Sequence, residues 1–306
     1  MKGLQKAMAD YLSMRRALGY KLKDAARLLA DFAAFYEQQG ARHSTIPLAL
    51  QWAQRTPAKP AEWARRLTCV RCFARYWSAT DPQTHIPPWS LLPHRPSRAR
   101  PYLYTAKEIG QLLAAAQEIG GLPGLTYYCL LGLLSVTGLR MSEVLNLSVK
   151  DVDLAQGVLV IVATKFGKTR LVPIHATTQK ALAQYVRDRD RTFGGNLSYF
   201  FVSQRGHRLD GGQVRRTFYR LSRKVGLRGP TASHGPRLHD FRHLFATKTL
   251  LRWYRSGQDV ERRLPVLSTY LGHGHVSDTY WYLTSCPELM GLVVNRLEKH
   301  WEESSS

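Results

Sequence analysis

Cysteine is scarce in this chain: Cys69, Cys72, Cys129 and Cys286 are the four in 306 residues. That is too few for a disulfide framework, and a reducing, cytoplasmic compartment is expected. Cys69 and Cys72 form a C-x-x-C. A zinc site would need a second ligand pair nearby, and none follows. Both fall in the helical-looking run Trp63–Ser78 and are read as helix residues. Long apolar runs are also missing. The longest, Tyr127–Val136, is far short of the ~20 residues a spanning helix needs. The N-terminal stretch carries charges throughout and has no signal-peptide apolar region. No membrane partner is expected. Acidic residues are few, 22 against 44 Lys+Arg, and they form no cluster at metal-ligand spacing. No metal and no other cofactor is expected.

What remains after these exclusions is positive charge. The formal net charge is +22 and the pI about 10.2. Residues 1–100 and 101–306 carry +11 each, so the basicity is not confined to a tail. A globular chain this basic is expected to meet a polyanion, nucleic acid above all. With 44% hydrophobic residues it can bury a core, and its length suits about two domains.

Residues 1–90 read as helices only, over Gln5–Leu18, Leu22–Gln39, Ile46–Gln54 and Ala61–Ala79. Leu22, Ala25, Leu29, Phe32 and Tyr36 make one apolar stripe. Arg65, Arg66, Arg71 and Arg75 interleave with the apolar side of the fourth helix and suit a phosphate-contacting face as well as a solvated one. Prolines at 82, 87, 88, 93, 96 and 101 then interrupt the pattern. This predicts an extended linker, set at residues 91–104, whose Arg95, Arg98 and Arg100 can follow a phosphate backbone. A second domain follows over 105–306. Thr105 and Glu108 suit a capping box. Helices are predicted at 106–118, 124–137, 177–190, 211–225, 239–255, 260–271 and 279–301. Between them, Val158–Val162, a turn at Lys165–Lys168 and Arg170–Ile174 read as a β-hairpin, with Ser148–Val152 as a third strand. The fold class is mainly α with a small β-sheet.

Four segments of the second domain carry chemistry. In Thr137-Gly-Leu-Arg-Met-Ser-Glu143, Gly138 suits a left-handed helix end, which sets Arg140 at a helix junction with Glu143 near enough to orient it. Lys165 sits on the hairpin turn, with Lys168 and Arg170 beyond it. In Leu238-His-Asp-Phe-Arg-His243, His239 and Arg242 share a helix face. In the run Leu271–Tyr282, Gly272 ends a helix, His273 follows, and Ser277 or Asp278 can cap a new helix bearing Tyr282. Each segment alone has a plain structural reading.

Together and in this order, the motifs T-G-L-R-x-S-E, H-x-x-R-H and L-G-H with a tyrosine nine residues on resemble the tyrosine recombinase superfamily, or phage-type integrases. The resemblance covers essentially the whole chain. It implies a helical, SAM-like core-binding domain over 1–90, the linker, and a catalytic domain with a C-terminal helix. Arg140, Lys165, His239, Arg242, His273 and Tyr282 match the family's catalytic positions, and Glu143 its supporting acid. Phe166 departs from a position that is often glycine, which leaves Lys168 as a competitor to Lys165.

The resemblance implies attack of the Tyr282 oxygen on a DNA phosphodiester, giving a 3′-phosphotyrosine and a free 5′-hydroxyl. Two arginines can each donate two hydrogen bonds to the pentavalent phosphorane. His273 adds a donor, His239 takes or shares the tyrosine proton, and Lys165 protonates the leaving oxygen. The expected activity is site-specific recombination of double-stranded DNA for integration, excision or transposition of a mobile element. Xer-like chromosome-dimer resolution and type IB topoisomerase-like relaxation are the alternatives. The expected assembly is a homo-tetramer on two DNA sites in the bacterial nucleoid. Its C-terminal helix, with the stripe Leu289, Val293, Leu297 and Trp301, is exchanged between protomers.

Overall fold

The computed structural model describes residues 2–92, 100–162, 169–283 and 286–304. Arg95, Arg98, Lys165 and Lys168 lie outside these residues. The chain forms two compact units, divided between Ala99 and Arg100.

The first unit holds α1 (Lys2–Ala17), α2 (Lys23–Gln38), α3 (Ile46–Gln54) and α4 (Pro60–Trp77). Thr45 caps α3, accepting from Leu48 N, and Pro60 opens α4, where its missing N–H costs nothing. Leu29, Phe32, Tyr36, Trp52, Phe73 and Trp77 fill the core. Leu22 departs from the predicted stripe: it stands just before α2 with φ 43°, in the left-handed region. Arg71 also departs from expectation. It is buried, its Nε donates to Pro87 O at 2.7 Å, and Nη2 donates to Pro88 O at 2.9 Å. Its guanidinium therefore ties the proline-rich segment to α4 instead of facing phosphate. Arg65 and Arg66 engage Glu62, and Arg65 also reaches Asp24. Arg75 and Arg100 are exposed.

The second unit begins with α5 (Ala106–Gln117), whose Thr105–Glu108 capping box is formed. The helix α6 (Gly121–Thr137) is apolar all round and is accordingly central, with Leu130, Leu131, Leu133 and Leu134 buried. It is followed by α7 (Met141–Leu145) and a three-stranded antiparallel sheet, β1 (Val152–Asp153), β2 (Val158–Ile161) and β3 (Arg170–Pro173), in that order. Leu159 pairs with Val172 on the core face, and Leu171 points out. The predicted third strand is shifted: Val149–Asp151 is a 3₁₀ turn, and only Val152 and Asp153 pair with β2. Helices α8 (Ala176–Phe193), α9 (Gly211–Lys224), α10 (Asp240–Arg255) and α11 (Val260–Leu271) complete the main body.

The predicted helix over 279–301 is two helices. α12 (Ser277–Tyr280) is a single turn, and α13 (Pro287–Ser304) starts afresh. Pro287 explains the restart, because a proline fits the first turn of a helix but breaks its interior. Tyr282 consequently follows α12 instead of riding on it. It packs in a second core with Leu250, Leu264, Leu271, Cys286 and Leu289. No helix of the described residues is long and apolar enough to cross a membrane.

Candidate active site

Two glycine turns and one helix start build the site. Gly138 ends α6 with φ 62° and Gly272 ends α11 with φ 68°, so both turn the chain through the left-handed region. Neither position has room for a side chain: a Cβ at 138 would meet Phe245 at 2.8 Å, and one at 272 would meet Arg170 at 2.8 Å. The backbone carbonyls around these turns receive the arginines. Arg242, 2% exposed, donates from Nη1 to Gly138 O at 2.9 Å and from Nη2 to Leu271 O at 2.6 Å. Arg140 donates from Nη2 to Gly272 O at 2.9 Å and from Nη1 to Leu271 O at 3.4 Å. The three segments that stood apart in sequence are thus joined by arginine-to-carbonyl bonds. A guanidinium has five N–H donors, so donors remain on each for another acceptor.

Glu143 is buried and accepts from Arg140 N (2.9 Å) and Arg140 Nη1 (2.8 Å). Arg170 adds Nη1 and Nη2 bonds at 3.1 and 2.9 Å. Burial alone would raise this carboxyl, but the bonds from Arg170 and Arg140 outweigh it and hold it below the usual carboxylate range. Arg140, Arg170 and Arg242 against Glu143 leave a surplus of two positive charges. Isolated in a protein interior such a surplus is costly, and an anion in the site offsets it.

Tyr282 is buried, and Arg242 hydrogen-bonds its side chain. The ring lies flat against His273 (centroids 5.9 Å apart, 16° between planes) and meets the edge of His243 at 5.2 Å. His273 Nδ1 is 2.7 Å from the hydroxyl of the buried Thr279. His239 stands at the N-cap of α10, 5.1 Å from His243 between ring centroids. Its residue surface is largely exposed, yet crowding of the ring by protein, and then the charge of Arg242, hold the imidazole below its usual value. Beside it opens a cavity of about 400 Å³ lined by Arg140, Ser142, Arg215, Tyr219, Arg237 and His239.

Four of the six expected catalytic side chains (Arg140, Arg242, His273 and Tyr282) are therefore gathered here, with His239 at the margin. Arg170, His243, Arg215 and Arg237 are neighbours that sequence reasoning did not single out as site residues. His243 adjoins the H-x-x-R pair and Arg237 precedes it, a proximity that gave some signal. Nothing in the sequence aimed Arg170 at Glu143. Among the described residues, no group of three or more His, Cys, Asp or Glu is placed to hold a metal ion.

The pattern of the phage integrase family matches residues 103–288. The chain belongs to the phage integrase family. It is 55% identical over 312 aligned positions to the integrase/recombinase y4rB of Sinorhizobium fredii, covering 99% of each chain. It is 30% identical to the tyrosine recombinase XerD of Xanthomonas axonopodis pv. citri, covering 90% of this chain and 76% of that one. Its fold is similar to that of the Tn1549 transposon integrase solved with transposon right-end DNA (TM-score 0.68, 17% identity, 97% of this chain and 98% of that one). The protein is a tyrosine-type site-specific recombinase acting on DNA, as its family membership establishes.

The recombinase should lose stability in mild acid because of its site histidines. Burial first, and then neighbouring positive charge, pushes His243 and His273 down to about 4. An unfolded chain protonates histidine near 6.5. Between about pH 6.5 and 4 the unfolded state binds more protons, so stability falls as pH drops through that window and is fully present above it. For the buried His243 the loss is on the order of 3 kcal/mol. Urea midpoints at pH 7 and 4.5 read it. His243→Phe should flatten the dependence, and an unchanged slope in that variant would refute the assignment.

Proposed function

We propose that the recombinase cleaves and rejoins DNA through a 3′-phosphotyrosine on Tyr282, with Arg140, Arg242 and His273 holding the scissile phosphate. The observation that carries this reading is the convergence of both guanidiniums on the Leu271–Gly272 turn, with Tyr282 bonded to one of them. Nucleophile and electrophile are then aligned on one guanidinium. The two surplus positive charges match the charge that gathers on the phosphorane's non-bridging oxygens. A Thr279 hydroxyl donating to His273 Nδ1 leaves the Nε2 proton as a further donor to phosphate. His239, neutral and partly open to solvent, is the acceptor for the tyrosine proton. Lys165 is the acid for the leaving 5′-oxygen, with Lys168 its competitor. Because the phosphotyrosine keeps the energy of the broken bond, a 5′-hydroxyl from a second strand reverses the step and completes exchange.

The 55% identity to an integrase/recombinase, against 30% to XerD, favours integration, excision or transposition of a mobile element over chromosome-dimer resolution. Duplexes made from the DNA flanking the gene, nicked just beyond the cleavage point, lose the short leaving strand and trap the covalent complex. A protein–DNA adduct that resists detergent and forms in EDTA is expected. Failure of every flanking sequence to give one would reject the reading.

Both units are proposed to hold DNA, the first through exposed basic residues such as Arg75, and the active form is a tetramer on two sites. Support comes from α13. Leu289 is buried in its own unit, whereas Met290, Val294, Leu297 and Trp301 are 43–67% exposed. The expected stripe of Leu289, Val293, Leu297 and Trp301 is thus divided between an inner anchor and an outer apolar face suited to a neighbouring protomer. Leu297→Ser with Trp301→Ser should lower synapsis roughly tenfold, the scale of an apolar contact worth about 1.5 kcal/mol. Single-site cleavage should stay near that of the parent. Equal loss of both would remove the helix from assembly.

A further inference from the structure

We propose that Arg170 is a positioning residue for recombination: through Glu143 it fixes the Arg140 guanidinium, and through Tyr270 it fixes the turn that carries His273. The proposal rests on the phosphate-binding roles given above to Arg140 and His273. Arg170 opens β3, where its backbone is held in register opposite Ile161. Its side chain is 8% exposed. Nη1 and Nη2 donate to Glu143 Oε1 and Oε2 at 3.1 and 2.9 Å, and Nε donates to Tyr270 O at 2.6 Å. Three bonds in one guanidinium plane leave it little freedom.

Glu143 is shared evenly. Oε1 accepts from Arg170 Nη1 and Arg140 Nη1, while Oε2 accepts from Arg170 Nη2 and the Arg140 backbone N–H. A carboxylate offers about four acceptor sites, and here each is taken. Without Arg170 the buried carboxylate would keep only Arg140 as a cationic partner. The low-cost response is bidentate pairing of Arg140 with Glu143, which turns its free donors away from the phosphate. The bond to Tyr270 O would be lost at the same time, just ahead of Gly272 and His273. The bare glycine at 272 preserves the space, since a Cβ there would fall 2.8 Å from Arg170 Nη1. Arg170 therefore links the hairpin strand, α7 and the end of α11, three elements that each lead to a reacting group.

The test compares the parent, Arg170→Met, Arg170→Lys and Arg140→Ala on nicked duplexes. The cleavage position carries either a phosphate or a methylphosphonate, which lacks the negative charge that the arginines neutralise. Duplex binding and thermal melting are measured alongside. Arg170→Met should cleave phosphate about 100-fold more slowly, the scale expected for a misplaced catalytic group. On methylphosphonate it should stay close to the parent, and Arg140→Ala should show the same split. Equal losses on both substrates, or no loss, would overturn the proposal. If Arg140→Ala shows no phosphate-specific loss, the role given to Arg140 fails instead. Should Arg170→Met not fold, Arg170→Lys keeps the charge and one bond to Glu143. It should show a smaller loss with the same split, and an equal loss on both substrates would overturn the proposal as firmly.

Discussion

Tyr282→Phe should abolish the covalent adduct on nicked DNA while leaving duplex binding unchanged. The substitution removes one oxygen from a buried ring. Packing against His273 and His243 survives, because both contacts are made by the ring. The hydrogen bond from Arg242 is lost, which costs about 1 kcal/mol of stability. The chemical cost is far larger, since no other atom at that place can take up the phosphate. A fall of at least about 10⁴-fold in cleavage is expected, in line with removing a nucleophile from an otherwise intact site. Tyr280 is the obvious substitute, but it is 53% exposed. An adduct that persists in Tyr282→Phe and disappears in Tyr280→Phe would move the nucleophile.

Arg242→Lys should be the next most damaging change, and it should act on both stability and rate. Arg242 is buried, with two carbonyls and Tyr282 around one planar group. A lysine ammonium cannot span Gly138 O and Leu271 O and also reach a phosphate. One of the two carbonyls would lose its bond from this side chain, at about 1 kcal/mol. Loss of a donor aimed at the phosphorane should cost about 10²–10³-fold in the rate of adduct formation. Single-turnover cleavage at saturating DNA, with urea midpoints, separates the two effects. Arg140→Lys offers a control, because Arg140 has 23% of its side chain exposed and should cost less stability for a similar loss of rate. A normal rate in folded Arg242→Lys would take this arginine out of the chemistry.

Much of the architecture was legible because local rules settle it. The capping box at Thr105 and the left-handed glycines ending α6 and α11 are short-range features that local chain geometry settles. The failures share a cause. Arg71 looked like one more arginine on a basic face, and only packing shows it turned inward to Pro87 and Pro88. The stripe on the last helix had the right period, yet Leu289 is core while Leu297 and Trp301 are surface. Periodicity marks a face without saying what covers it.

The sequence by itself determined the basic character and the mainly helical fold, and it named the residues proposed above to react. Those depend on residue type and on spacing within a few turns of chain. Only the tertiary structure decided how Arg140 and Arg242, about a hundred residues apart, come to grip the same turn at Leu271 and Gly272. It also decided that Arg170 is bound to Glu143. Both results rest on backbone carbonyls and on one shared carboxylate. A carbonyl is common to every residue, so no sequence pattern marks the ones that the fold will place within reach of an arginine.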